Sequence, residues 1–120
     1  WGEFCLLSEI LENSLFGLPA EDFSRVILAY EPIWAIGTGQ NATPEQAEEV
    51  HSFIRQLIAG NYGQELSACA IILYGGSVKP ANAFYLIKEK DVDGFLVGGA
   101  SLQAESFVGI VREACRADEG

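Results

Sequence analysis

Apolar and polar positions along this chain follow two different periods. Phe4, Leu7, Ile10 or Leu11, and Leu15 recur at helical spacing, which predicts a helix over about 4–16 that stops at Gly17-Leu18-Pro19. Arg25-Val26-Ile27-Leu28-Ala29-Tyr30 is instead β-branched and apolar without alternation, so a short buried strand is expected over about 25–31. Pro32 has no N–H to give to a ladder and closes that strand. Thr43-Pro44-Glu45-Gln46 reads as a helix start, with Thr43 capping, Pro44 in the first turn and Gln46 closing a capping box. Ala47, Val50, Ile54, Leu57 and Ile58 then form one stripe, and Gly60 is expected to end the helix.

The second half repeats this pattern. Ala70 to Tyr74 reads as a strand, with Cys69 as a small core residue at its start. Residues 80–89 read as a helix with Ala83, Phe84, Leu86 and Ile87 inward, and Gly94 to Val97 as a third strand. A last helix is expected from Leu102 to Ala117, capped by Ser101 and burying Leu102, Phe107, Ile110, Val111 and Ala114. One helix followed by three strand–helix units implies an α/β fold with parallel strands and right-handed crossovers. At 120 residues with no linker-like tract, residues 1–120 are expected to form a single domain.

Composition narrows the function. Hydrophobic residues make up 49% of the chain, which is globular usage. Seven basic against 17 acidic residues give a net charge of −10, which argues against nucleic acid and anionic membranes as partners. The apolar runs are too short to span a bilayer, and no signal segment opens the chain. Cys5, Cys69 and Cys115 are odd in number and far apart, so reduced thiols in a cytoplasmic protein are expected. No metal-type spacing appears, and the single histidine, His51, reads as a partly exposed residue in mid-helix. The chain begins with Trp1 and has no methionine, which suggests a piece of a longer protein, with Trp1-Gly2-Glu3-Phe4 compatible with a cloning remnant.

Chemistry concentrates where the strands end. Glu31 stands at the carboxyl end of the first predicted strand, where parallel α/β proteins build their sites. The segment behind it starts stiff at Pro32, carries Ile33, Trp34, Ala35 and Ile36, and ends loose at Gly37-Thr38-Gly39, a composition suited to a lid on two hinges. Tyr74-Gly75-Gly76-Ser77 and Val97-Gly98-Gly99-Ala100 follow the other two strands, and glycine exposes backbone amides to a ligand. The second pair is expected just before a helix N-terminus, which favours phosphate.

The string Ala29 to Gly39, with Tyr74 to Val78 and Gly94 to Leu102, closely resembles the catalytic lid and phosphate loops of the triosephosphate isomerase family. The resemblance runs from about Phe23 to Cys115. It implies a partial (β/α)8 barrel and a triose phosphate or other small phosphate ligand, with no cofactor. By that resemblance Glu31 moves a proton between adjacent carbons, and the amides of Gly37, Ser77, Gly98 and Gly99 hold the phosphate. Ile36 and Leu96 clamp apolar surface over Glu31, and Tyr74 and Ser77 bond the closed lid. The family is itself the standard example of a glutamate base under a closing lid. Such a base needs an apolar, water-poor site to raise its basicity.

The resemblance also implies a deficit. A full barrel is typically about 250 residues. The family's mechanism needs a neutral histidine and a lysine from its N-terminal half. His51 and Lys79 do not match those positions, so the isolated chain is expected to be nearly inactive. Gln40-Asn41-Ala42 also departs from the lysine that the family often carries after the lid. Three strands taken from a barrel leave open edges and an uncovered face, so self-association or pairing with a complementary N-terminal half is expected. A phosphate-binding module without chemistry, and a different phosphate-binding barrel enzyme, are the alternative readings.

Overall fold

The computed structural model of the chain describes residues 2–32 and 42–119. Its elements run α1 (Gly2–Ser14), α2 (Ala20–Phe23), β1 (Ile27–Tyr30), α3 (Pro44–Tyr62), α4 (Gln64–Cys69), β2 (Ile71–Tyr74), α5 (Pro80–Ile87), β3 (Gly94–Phe95), a 3₁₀ turn (Gly99–Leu102) and α6 (Ala104–Glu119). The strands form one parallel sheet in the order β1-β2-β3. Ile27 pairs with Ile71 and Tyr30 with Tyr74, while Tyr74 pairs with Phe95.

The strand period of two sorts the sheet into unlike faces. Leu28, Tyr30, Ile72, Tyr74 and Phe95 point toward the helices and belong to the core, with Ile72 and Tyr74 fully buried. Ile27, Ala29, Ile71 and Leu73 alternate to the other face, where Ile27 is 60% and Ile71 44% exposed. Parallel strands are ordinarily covered on both sides. Here the described residues cover only one side.

Local chemistry explains the helix boundaries. The Thr43 hydroxyl accepts the Gln46 N–H at 3.1 Å, and the Gln46 side chain accepts the Thr43 N–H at 2.9 Å, completing the expected capping box. Gly60 does not end α3. The helix continues to Tyr62, whose hydroxyl donates to the Leu18 and Leu15 carbonyls at 2.8 and 3.1 Å and so pins the last turn. Gly63 ends it instead, at a φ of 104° that favours glycine.

Other expectations are corrected. The two short helices α2 and α4 were not legible as periodic segments. Cys69 closes α4 and is exposed, so it is not a buried residue starting a strand. Ser101 does not cap α6; its hydroxyl donates to the Gly98 carbonyl at 2.6 Å inside the 3₁₀ turn. Leu102 lies before the helix and is 83% exposed, and Phe107 and Val111 are exposed as well. Ile110 is the buried residue of that group. The helix packs on α5, closely enough that a Cβ on Gly109 would lie 2.8 Å from Pro80 Cγ.

Phe4 and Glu3 are part of the packing. The Phe4 ring stacks on Phe53 at 4.5 Å between centroids, and the Tyr30 hydroxyl bonds the Glu3 carboxylate. Among the described residues no helix is long and apolar enough to cross a membrane.

Candidate active site

The carboxyl ends of the three strands meet along one rim. Glu31 follows Tyr30 there and is exposed. The Gly75 N–H donates to the Tyr30 carbonyl at 2.7 Å, and the Leu96 N–H to the Tyr74 carbonyl at 3.0 Å. These two bonds extend the ladder past the strands, setting the Gly75 loop beside Glu31 and Leu96 beside the Gly75 loop. A Cβ placed on Gly75 would lie 3.9 Å from the Glu31 Cβ. Strand alternation carries Glu31 to the side of Ile27 and Ala29, the uncovered side of the sheet. Pro32, the next residue, is buried. Ile33, Trp34, Ala35, Ile36, Gly37, Thr38 and Gly39 lie outside the described residues.

The four glycines of the two loops occupy different surroundings. A Cβ on Gly76 would fall 2.2 Å from the Tyr74 hydroxyl oxygen, so a bare backbone is needed to let that ring lie against the turn. Around Gly98 and Gly99 nothing among the described residues lies within 4 Å of such a Cβ. Packing inside the chain therefore explains Gly76 and leaves Gly98 and Gly99 facing open space. Ser77 is exposed at the same rim, and its carbonyl accepts the Asn82 side chain at 3.0 Å. Gly98 and Gly99 do not lead directly into a long helix as expected; the 3₁₀ turn intervenes before α6. Leu96 is 59% exposed beside them.

Tyr74 supports the rim from behind. Its side chain is fully buried, and burial pushes its hydroxyl pKa above the usual tyrosine range, opposed by the backbone of Ala42, just beyond the lid segment. His51 is the clearest departure from expectation. It is fully buried rather than partly exposed, with its ring 6.0 Å from that of Tyr30 and 6.2 Å from that of Tyr74. Its Nδ1 lies 3.1 Å from the Asp91 carbonyl oxygen, which can only accept, so Nδ1 carries the proton. Burial lowers its pKa and keeps it neutral. His51 sits on the helix-covered side of the sheet with Tyr30 and Tyr74, away from the side that Glu31 faces.

The amino ends of the strands carry a different cluster that the sequence did not announce. The Arg55 guanidinium reaches the Ser67 and Ala70 carbonyls at 2.8 and 2.9 Å, Asp91 Oδ1 at 2.8 Å and Asp93 Oδ2 at 2.8 Å. Asp93 also accepts the Ile72 N–H at 2.8 Å, tying β2 to the approach of β3. A cavity of about 440 Å³ opens beside Arg55, lined also by Ser52, Gln56, Lys90 and Asp93. Its position at the amino ends separates it from Glu31, and that end of such sheets serves stability. Among the described residues no group of His, Cys, Asp and Glu is arranged to hold a metal ion.

Three parallel βα units, with a carboxylate and glycine loops along their carboxyl rim, form part of a (β/α)8 barrel. The comparisons agree with that class. A sequence model of the family described as triosephosphate isomerase matches residues 3–114. Triosephosphate isomerase of Phocaeicola vulgatus is 60% identical over 98 residues, covering 82% of this chain and 39% of the relative. The enzymes of that name from Protochlamydia amoebophila and Trichlorobacter lovleyi are 52% and 51% identical, covering 86% and 91% of this chain. This chain belongs to the triosephosphate isomerase family. It spans about two-fifths of the length of these relatives (39% to 43%).

Proposed function

We infer that this chain is the C-terminal portion of a triosephosphate isomerase, which interconverts dihydroxyacetone phosphate and glyceraldehyde 3-phosphate once the rest of the barrel is supplied. The observation that carries this reading is the rim itself. Glu31 stands beside the Gly75 loop, and the open Gly98-Gly99 backbone lies along the same edge. Glu31 is the base that takes a proton from one substrate carbon and returns it to the next. The amides of Gly37, Ser77, Gly98 and Gly99 hold the phosphate end, which fixes the reacting carbons over the carboxylate. Ile36 and Leu96 exclude water from the closed site, and Tyr74 and Ser77 anchor the lid.

On its own the chain is nearly inactive. Glu31 is exposed to water, and the family's histidine and lysine are not supplied by His51 or Lys79. Losing one group that stabilises a developing oxyanion typically costs on the order of 10²–10³ in rate. The partner is the complementary N-terminal portion, which would cover Ile27, Ile71 and Leu96 and close both sheet edges. The bare sheet face also supports a second reading for the isolated chain, a non-catalytic scaffold that self-associates.

Mixing the chain with an N-terminal portion taken from a close relative tests the reading. Isomerase activity should appear only in the mixture and be lost with Glu31→Gln. Native-like turnover by the chain alone, or activity in the mixture that survives Glu31→Gln, would overturn it. Light scattering of the unmixed chain should show species larger than a monomer, and a clean monomer at high concentration counts against the scaffold.

A further inference from the structure

The loop from Gly75 to Lys79 is pinned at its two ends by different groups. At its start the Gly75 N–H donates to the Tyr30 carbonyl at 2.7 Å, next to Glu31. At its end one side chain, Asn82 in the first turn of α5, holds two backbone groups. Its Oδ1 accepts the Lys79 N–H at 2.7 Å, and its Nδ2 donates to the Ser77 carbonyl at 3.0 Å. An N–H can only donate and a carbonyl can only accept, so the two partners fix which way the amide points. Val78, between the two bonds, is buried, while Ser77 stays exposed at the rim. Among the described residues the Ser77 N–H has no partner.

The donor arm of Asn82 has no place in helix capping. In a capping box the third helical residue offers an acceptor to the N–H of the capping residue. The Asn82 oxygen does that for Lys79, but its NH2 satisfies nothing in the helix and reaches back to Ser77. A carboxylate would serve the cap alone at least as well, because a helix start favours negative charge. The other helices take that option: Glu3 lies in the first turn of α1, Glu21 and Asp22 in α2, Glu45 in α3, Glu65 in α4 and Glu105 in α6. Among the described α-helices, only α5 has no acid in its first turn, in a chain with 17 acidic residues.

We propose that Asn82 is a positioning residue for the phosphate end of the site: its side-chain amide holds the loop in the shape that presents the Ser77 N–H, and brings no negative charge to a rim that takes an anion. This rests on the reading of Ser77 as a ligand of the substrate phosphate. Asn82 acts through the backbone. A trans peptide is planar, so holding the Ser77 carbonyl fixes the peptide that follows Ser77, while the Gly75 bond fixes the peptide ahead of Gly75. Ser77 is held from both sides, and an amide already in place has less freedom to lose when the phosphate binds.

Asn82→Asp separates this role from capping. It keeps the acceptor for the Lys79 N–H, removes the donor to Ser77 and adds a charge. A cap alone predicts an unchanged or higher melting temperature and unchanged kinetics. The positioning role predicts, in the mixture with an N-terminal portion, a KM for glyceraldehyde 3-phosphate raised about tenfold or more, with kcat within about threefold. Asn82→Ala should raise KM less, since it adds no charge. A second readout needs no partner. In the isolated chain, amide order parameters at Ser77 and Val78 should fall from about 0.85 to below about 0.6 in Asn82→Ala, while those of α3 stay the same. An unchanged KM in Asn82→Asp, measured against an active unaltered mixture, would overturn this proposal and leave the isomerase reading intact. Unchanged order at Ser77 in Asn82→Ala would overturn it as well. A mixture that is inactive with the unaltered chain would overturn the isomerase reading and the proposal with it.

Discussion

The two ends of the same three strands are finished to different degrees. At the amino end Arg55 has carbonyl and carboxylate partners from α4, the β2 approach and the β3 approach, and Asp93 is bonded on both sides. At the carboxyl end Glu31, Ser77, Leu96, Gly98 and Gly99 are exposed, and two of the glycines face space that no described residue fills. The amino end is tied together by bonds among the described residues, whereas the carboxyl end presents exposed groups. The proposed function rests on that contrast: a scaffold carried by this chain and a rim left for groups from a complementary portion. The largest expected effect follows from that contrast: activity in the mixture with an N-terminal portion, and its loss with Glu31→Gln, typically 10²-fold or more for a proton-transfer group.

The next effect tests the finished end. Arg55→Ala would leave Asp91, 11% exposed, without its ion pair and remove the tie between α4 and both strands. Breaking one side of a buried pair costs about 3–5 kcal/mol. That is a large share of the total stability of a small domain, about 5–15 kcal/mol. Urea unfolding should show the loss in the isolated chain, without any partner. A cost under about 1 kcal/mol would mean that the amino end is not the scaffold.

A smaller effect is expected where α6 meets α5. Gly109→Ala would place a Cβ 2.8 Å from Pro80 Cγ and 3.2 Å from its Cβ, and the proline ring is not a flexible chain end. Overpacking of this kind typically costs about 1–3 kcal/mol. The Arg116 guanidinium, 4.0 Å above the Phe84 ring, lies in the same interface and should be displaced with it. Thermal melting checks this, and an unchanged midpoint would show that α6 is held too loosely to feel the methyl.

Much of this was legible in residue order. The α3 start declared itself through Thr43 and Gln46, and the strand–helix order fixed parallel pairing, because each local signal agreed with the tertiary outcome. Glu31 and the glycine loops were legible as a motif, and the structure sets Glu31 beside Gly75 on one rim. What could not be read was set by long-range contact. Gly60 looked like a helix end, but Tyr62 is held by carbonyls more than forty positions earlier. His51 looked half-exposed because nothing nearby in sequence shows that Tyr30, Tyr74 and Asp91 close over it. Phe107 and Val111 sit on the apolar side of α6, yet among the described residues nothing buries them. The cluster on Asp91, whose N–H donates to Glu48 Oε1, did leave one trace in the sequence, the helical spacing of Glu48, His51 and Arg55, but nothing in that spacing says what they hold.

The smallest effect is the most discriminating, because it uses two adjacent residues of one type. Ile72 is fully buried in the core, and Ile72→Ala should cost about 2–5 kcal/mol, as cavity-forming substitutions do. Ile71 stands next to it in β2 on the uncovered face, 44% exposed. Ile71→Ala removes little buried surface in the isolated chain and should cost less than about 1 kcal/mol, mostly strand preference. If a complementary portion covers that face, the order changes on mixing: Ile71→Ala then leaves a cavity, and its cost should rise toward that of Ile72→Ala. Unfolding both variants with and without the N-terminal portion measures this. A cost for Ile71→Ala that stays the same on mixing would show that the partner does not seat on the sheet, even if activity returns.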